Sequence, residues 1–227
     1  MDPMEGGSCT LLETFGDALT VVNAARLSFD TQHTALDTQD RKLLRFLWKH
    51  QHTSPFRHVM LRFQIVWPEF VARQAYKHCV GIEATSGTMP TKDTAWSEVS
   101  RRYRPVVQYW EPTTFRKQSA TAKQGSDGVC DEETQTKAMQ AYQTAHSACK
   151  EAYQTLLELG VAREQARAVL PISQMTTVCW TMSLQAAMHF IALRSKPDAQ
   201  PEIAVYAEAM ERQIWARFPE LAKAMQE

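Results

Sequence analysis

The chain has 227 residues, enough for one domain with a substantial core. Its 25 lysines and arginines balance 25 aspartates and glutamates, which excludes a nucleic-acid binder relying on bulk positive charge, so any anion recognition must be local. No apolar run approaches the ~20 residues of a membrane span, and the start, "MDPMEGGSCT", lacks the basic and apolar regions of a secretory signal; a cytoplasmic protein with no membrane or nucleic-acid partner is expected.

In chain order, "RKLLRFLWKH" (41–50) spaces Leu43, Leu44, Phe46 and Leu47 as one face of a helix, with Asp40 as its N-cap. Ser54-Pro55 breaks it. "VMLRFQIVW" (59–67) predicts a strand rich in β-branched and aromatic residues. Pro68 then opens a helix, "PEFVARQAYKHC", whose apolar stripe is Phe70, Val71, Ala75 and Tyr76. "VGIEATSGTMPTKDT" reads as a long loop, and 116–133 as a second one. A long helix follows from Glu133, closed by Gly160, and "AREQARAVL" is a short helix stopped before Pro171. "TTVCWTMS" is strand-like, "LQAAMHFIALR" helical, and "PEIAVYAEAMERQIWARFP" a closing amphipathic helix. Strands falling between more numerous helices predict an α+β fold over residues 1–227, a mixed central sheet wrapped by helices.

Five cysteines (Cys9, Cys79, Cys130, Cys149, Cys179) are scattered with no CxxC pair, so neither a zinc site nor a disulfide framework is expected. Four places gather groups that carry chemistry. "TAWSEVSRRYRP" (94–105) holds Glu98, Ser100, Arg101, Arg102 and Arg104, which suits a solvated basic loop and an anion site equally. Arg163 and Arg167 stand four apart on one helix face, where pairing with Glu164 or Glu158 is the plainer reading. "HTSPFRH" carries His52, Ser54, Arg57 and His58 with no carboxylate or thiolate at ligand spacing, so no metal is expected there. His189 and Arg194 end a helix, where its dipole favours cations in any case. There is no GxGxxG, P-loop, HExxH or GxSxG.

Taken together, these segments resemble the flavin-dependent thymidylate synthases, the ThyX family, from about Val21 to Phe218. "NAARLSF", "HTSPFRHVMLRF", "FVARQAYKHC" with "AWSEVSRRY", "ARAVLP" and "HFIALR" resemble five family blocks in order, the middle pair forming the signature RHRxxSxNExSxRY. The resemblance implies a ThyX-like fold and a homotetramer whose active sites each draw on several subunits. It also implies conversion of dUMP to dTMP with FAD, NADPH and methylenetetrahydrofolate. It assigns the nucleotide to Gln74, Glu98, Ser100, Arg102, Arg167 and Arg194, with Ser100 and Arg102 on the phosphate and Arg194 polarising the uracil ring. Arg194 and Ser100 are thereby the catalytic candidates, and Arg101 and Arg104 are peripheral. FAD contacts fall to His52, Ser54, Arg57, Lys77, His78, Cys79, Ser183, Gln185 and His189.

The chain departs from the pattern where the family reads Arg-His-Arg: here stand Lys77, His78 and Cys79, followed by a longer loop, with Ser97 for the family's Asn and Gln185 where an arginine is frequent. Those positions mostly serve the flavin, which leaves two other readings open. One is a relative that hydroxymethylates dUMP or methylates UMP; the other is a non-catalytic dUMP-binding protein. The segment "KQGS" (123–126) is a candidate source of replacement contacts.

Overall fold

The computed structural model describes residues 6–78, 94–121 and 125–226. Cys79 and residues 80–93, where the sequence pattern predicts a loop, lie outside these. Four strands form the central sheet: β1 (Ser8–Phe15), β2 (Met60–Pro68), β3 (Thr94–Glu98) and β6 (Met175–Ser183), in the order β1-β2-β6-β3. Two short strands, β4 (Arg116–Gln118) and β5 (Ser126–Val129), pair separately as a hairpin. The helices are α1 (Ala18–Arg26), α2 (Thr38–Lys49), α3 (Glu69–Tyr76), α4 (Glu132–Glu158), α5 (Arg163–Ala166), α6 (Leu184–Arg194), α7 (Pro201–Arg217) and α8 (Pro219–Gln226).

The α+β class stands, but every pairing in the sheet is antiparallel, not mixed. The cause is where β6 begins. The amides of Glu69 and Phe70, at the end of β2, donate to the carbonyls of Gln174 and Ile172 at 2.9 and 3.0 Å. β6 thus starts where β2 finishes and must run back along it, Phe63 facing Trp180.

Alternation along β2 buries Leu61, Phe63, Ile65 and Trp67 completely while Gln64 stays exposed. These join Val178, Trp180 and Met182 of β6 and the inner faces of α1, α3, α6 and α7 in one core. Burying each such side chain contributes about 1.5–3 kcal/mol. Trp96 of β3 packs 5.3 Å from Trp180 and 5.8 Å from Trp67, centroid to centroid, so aromatic contact fixes the edge strand that ends at Glu98.

Several sequence readings need correction. The N-cap of α2 is Asp37; Asp40 sits three residues on, closes a reciprocal capping box, and is fully buried. Its carboxylate takes Arg26 at 2.7 Å and His33 Nδ1 at 2.7 Å. His33, Asp37 and Asp40 bring ligand atoms within 4.8 Å, yet those of Asp37 and Asp40 are already engaged by a cap and this ion pair. Phe46 and Tyr76 are half exposed, packing on His50 and Trp96 at the surface, because Leu44 and Leu47, and Val71, Ala72 and Ala75, already face the core. The expected loop 116–133 contains the β4–β5 hairpin, with Gly128 at φ +61° allowing its bent return strand. The helix after Ala162 lasts only one turn before tightening into a 3-10 turn at Arg167. The strand β1 and the helices α1 and α8 have no counterpart in the elements expected from the sequence pattern.

Candidate active site

The segment after β3 separates its three arginines by direction. Glu98 accepts the Thr176 hydroxyl at 2.6 Å and the Trp96 indole N–H at 3.3 Å. Val99 still donates to Thr177 at 2.9 Å, and the chain then turns, with the amides of Tyr103 and Arg104 donating to the Ser100 carbonyl. Arg101 points inward: its guanidinium donates to the Met175 carbonyl and, at 3.2 Å, to that of Pro105. That tether leaves Ser100 and Arg102 facing out, with Arg102 Nε donating to Ser100 Oγ at 3.3 Å and its guanidinium 5.2 Å from the Tyr103 ring centre. Arg163 donates to the Tyr103 carbonyl at 3.4 Å, which brings the α5 turn, and exposed Arg167 with it, alongside. Three cations and a hydroxyl on one exposed patch are suited to a phosphate.

A second element of the site lies where α3 meets the end of α6. Gln74 and Arg194 line a cavity of about 420 Å³ together with Arg116, Gly125 and Ser126 of the hairpin and Asp198 and Gln200 ahead of α7. Arg116 closes this wall. It donates to both oxygens of Glu202 at 2.8 and 2.9 Å and to Ser126 Oγ at 3.0 Å. Gln74 Oε1 is buried and has no hydrogen-bond partner among the described residues. Arg194 turns its Nε and one terminal nitrogen onto His78 Nε2, at 2.8 and 2.5 Å. His78 must therefore carry its proton on Nδ1, and it stays neutral: burial, then the charges of Arg194 and His189, push its pKa down to about 4.

Glu98 faces a third space, about 330 Å³, with Glu69, Arg73, Tyr76, Lys77 and Trp96. Burial, and then the Glu98 charge beside it, raises the Glu69 pKa above the usual carboxylate value. Among the residues matched to the flavin, Gln185 donates to Thr53 Oγ1 at 2.7 Å, which joins the start of α6 to the turn carrying Ser54 and Arg57. His52, Ser54, Lys77 and His189 are exposed. Ser183 is fully buried and its hydroxyl caps α6 through the Ala186 amide, so its place is structural. Cys79 lies outside the described residues.

The six nucleotide candidates thus occupy three separate places on one chain: Gln74 with Arg194, Glu98 alone, and Ser100 with Arg102, to which Arg163 ties the turn that carries Arg167. Arg116, Glu69 and Thr176 join the site without any sequence signal. Their partners, Glu202, Glu98 and again Glu98, lie far along the chain, and nothing local marks them. Ser126 and Gly125 do belong to the "KQGS" segment singled out in the sequence.

The chain is thus an antiparallel sheet wrapped by helices, with exposed cations beyond the end of its edge strand. Two solved structures of a UMP/dUMP methylase, PolB from Streptomyces cacaoi, superpose on it with TM-scores of 0.81 (bound with 5-Br dUMP) and 0.79 (bound with 5-Br UMP). They are 29% and 28% identical, covering 97% of this chain and 94% and 93% of theirs. The family model described as "Thymidylate synthase complementing protein" matches residues 10–220. A flavin-dependent thymidylate synthase of Thermus thermophilus is 36% identical over 218 residues, covering 95% of this chain and 74% of that protein. That of Kosmotoga olearia is 33% identical over 217 residues, covering 95% and 88%. The chain belongs to the flavin-dependent thymidylate synthase family. Among the described residues, no helix is long and apolar enough to cross a membrane.

Proposed function

We propose that this protein converts dUMP to dTMP in the cytoplasm, taking the one-carbon unit from methylenetetrahydrofolate and reducing equivalents from NADPH through FAD. The observation that carries the reading is Arg194, held beside Gln74 in a cavity large enough for a pyrimidine ring, in a chain of this family. A uracil ring becomes nucleophilic at C5 only as negative charge grows on its carbonyls, and a fixed guanidinium stabilises that charge without reorganising. Ser100, Arg102 and Arg167 take the phosphate. Glu98, fixed by Thr176 and Trp96, orients the bound nucleotide.

The residues matched to FAD suit that group in kind. The linked turn and α6 start offer Thr53, Ser54, Arg57 and Gln185 as hydrogen-bonding and cationic groups, and exposed Lys77 adds a cation for a pyrophosphate and exposed His189 a hydrogen-bonding ring. When bound, the flavin supplies the redox step that turns the transferred carbon into a methyl group. The division of the nucleotide residues among three places on one chain supports a homotetramer in which a second copy completes each site.

A yellow protein that releases label from C5-tritiated dUMP and forms dTMP, only with methylenetetrahydrofolate and NADPH present, is the expected result. Binding of dUMP without flavin or turnover would replace this reading with that of a non-catalytic nucleotide-binding protein. The likeness to a methylase with both 5-Br UMP and 5-Br dUMP favours a second reading, UMP methylation. A higher kcat/KM with UMP than with dUMP would establish it.

A further inference from the structure

The contact between Arg194 and His78 is chemically unusual. Arginines that must be held in place are ordinarily paired with carboxylates, whose two oxygens match the guanidinium fork. Among the described residues no carboxylate forms an ion pair with Arg194. Burial is what lowers its pKa from the ordinary value. Its partner is a neutral imidazole nitrogen that accepts two N–H bonds, at 2.8 and 2.5 Å. The imidazole is itself fixed. His78 follows the last turn of α3, its amide donating to the Ala75 carbonyl at 2.9 Å. Its ring stands edge-on to Phe190, 5.5 Å between centres. Phe190 is fully buried and lies one turn before Arg194 on α6, so one helix face presents both the wall that orients the ring and the guanidinium it holds.

The electrostatic consequence follows from the partner's charge. A carboxylate at this distance would orient Arg194 and also cancel most of its field at the cavity. An imidazole acceptor orients it and leaves the unit charge intact. We propose that His78 is a positioning residue for Arg194, holding the guanidinium over the nucleotide cavity as a neutral acceptor and leaving its positive charge available to the substrate. This inference rests on the dUMP reading above, and it moves His78 from the flavin contacts to the nucleotide side of the site.

The test uses the holoenzyme and three variants, His78→Ala, His78→Gln and His78→Glu, each checked for an unchanged melting temperature and flavin content. His78→Ala frees the guanidinium, and kcat should fall about 10- to 100-fold, the scale of a catalytic group misplaced by an ångström. His78→Gln supplies an amide oxygen as a neutral acceptor and should recover most of that loss. His78→Glu holds Arg194 but neutralises it, so KM for dUMP should stay within about threefold of wild type while kcat remains as low as in the alanine variant. An alanine variant that loses flavin but keeps its kcat per bound flavin would make His78 a cofactor contact and overturn the proposal. A glutamate variant as active as wild type would do the same. A separate arm needs no turnover: ¹⁵N NMR of histidine-labelled protein, with the His78 signals assigned by their loss in His78→Gln, should show Nε2 unprotonated and Nδ1 protonated at neutral pH. A protonated Nε2 refutes the contact even if dTMP forms. The expected tautomer in a protein that makes no dTMP would leave the contact standing and remove only the proposed function.

Discussion

Adjacent arginines, Arg101 and Arg102, are assigned opposite tasks by the structure, and a paired substitution separates them. Arg101 donates to two backbone carbonyls, and one of them belongs to Met175, which is 2% exposed. Charge-assisted bonds contribute about 1.5–3 kcal/mol each, and part of that is recovered by water at the half-buried end, so Arg101→Ala should cost about 3 kcal/mol. For a chain of this length each kcal/mol moves Tm by roughly 2–4 °C, which predicts a fall of about 6–12 °C. Among the described residues the Arg102 side chain contacts Ser100 Oγ and the face of Tyr103, itself 68% exposed. Arg102→Ala should change stability by no more than about 0.5 kcal/mol. Its cost falls on the nucleotide instead: losing one or two charge-assisted phosphate bonds should raise the Kd for dUMP about 10- to 100-fold. Differential scanning calorimetry and isothermal titration with dUMP measure the two quantities on the same preparations. An Arg102→Ala protein with unchanged dUMP affinity, or an Arg101→Ala protein with unchanged Tm, would refute the division of labour.

The other expectations can be checked independently. Burial acts to raise the Asp40 pKa, but the hydrogen bonds from His33, the Asp37 amide and Arg26 outweigh it and hold the carboxyl below its ordinary value. Its contribution is therefore present above the unfolded carboxylate pKa and lost as pH falls through the lowered one. Asp40→Asn should cost about 2–3 kcal/mol at neutral pH, trimmed by the partial exposure of Arg26, and should flatten the acid limb of a melting-temperature profile. His78 carries the opposite protonation preference: its neutral form is favoured down to about 4, so the Arg194 contact should hold through the ordinary histidine range and be lost only as the pH approaches 4, visible there as a loss of kcat before any loss of flavin. Cys79→Ser should keep some methyl transfer, since the motif that the segment resembles places arginine there, and complete loss of turnover with flavin and dUMP still bound would make the thiol a nucleophile. Lys77→Arg with Cys79→Arg should tighten FAD binding, because planar guanidinium forks can stack on the ring or pair with the pyrophosphate. Weaker binding, in the double variant and in one with a shortened 80–94 loop alike, would show that this loop carries the cofactor.

Chemistry that lies close together along the chain is legible in the amino-acid sequence alone. The alternation that makes β2, the proline that opens α3, and the spacing of Ser100 and Arg102 are local patterns, and local sterics and hydrogen bonding decide them. The family resemblance is legible for the same reason, since each block is a short run of chain. Pairing across distance is not legible. Asp40 looks like an N-cap, and only the approach of Arg26 and His33 turns it into a buried ion pair, leaving Asp37 to cap the helix. The direction of β6 depends on residues 172–174 docking against the start of α3, which no strand pattern encodes. Composition and spacing do not separate Arg101 from Arg102; the motif resemblance singles out Arg102, but only the position of the Met175 carbonyl makes Arg101 an inward tether and leaves Arg102 facing solvent. The role of His78 is set in the same way, by the arrival of Arg194 from a helix 116 residues further along.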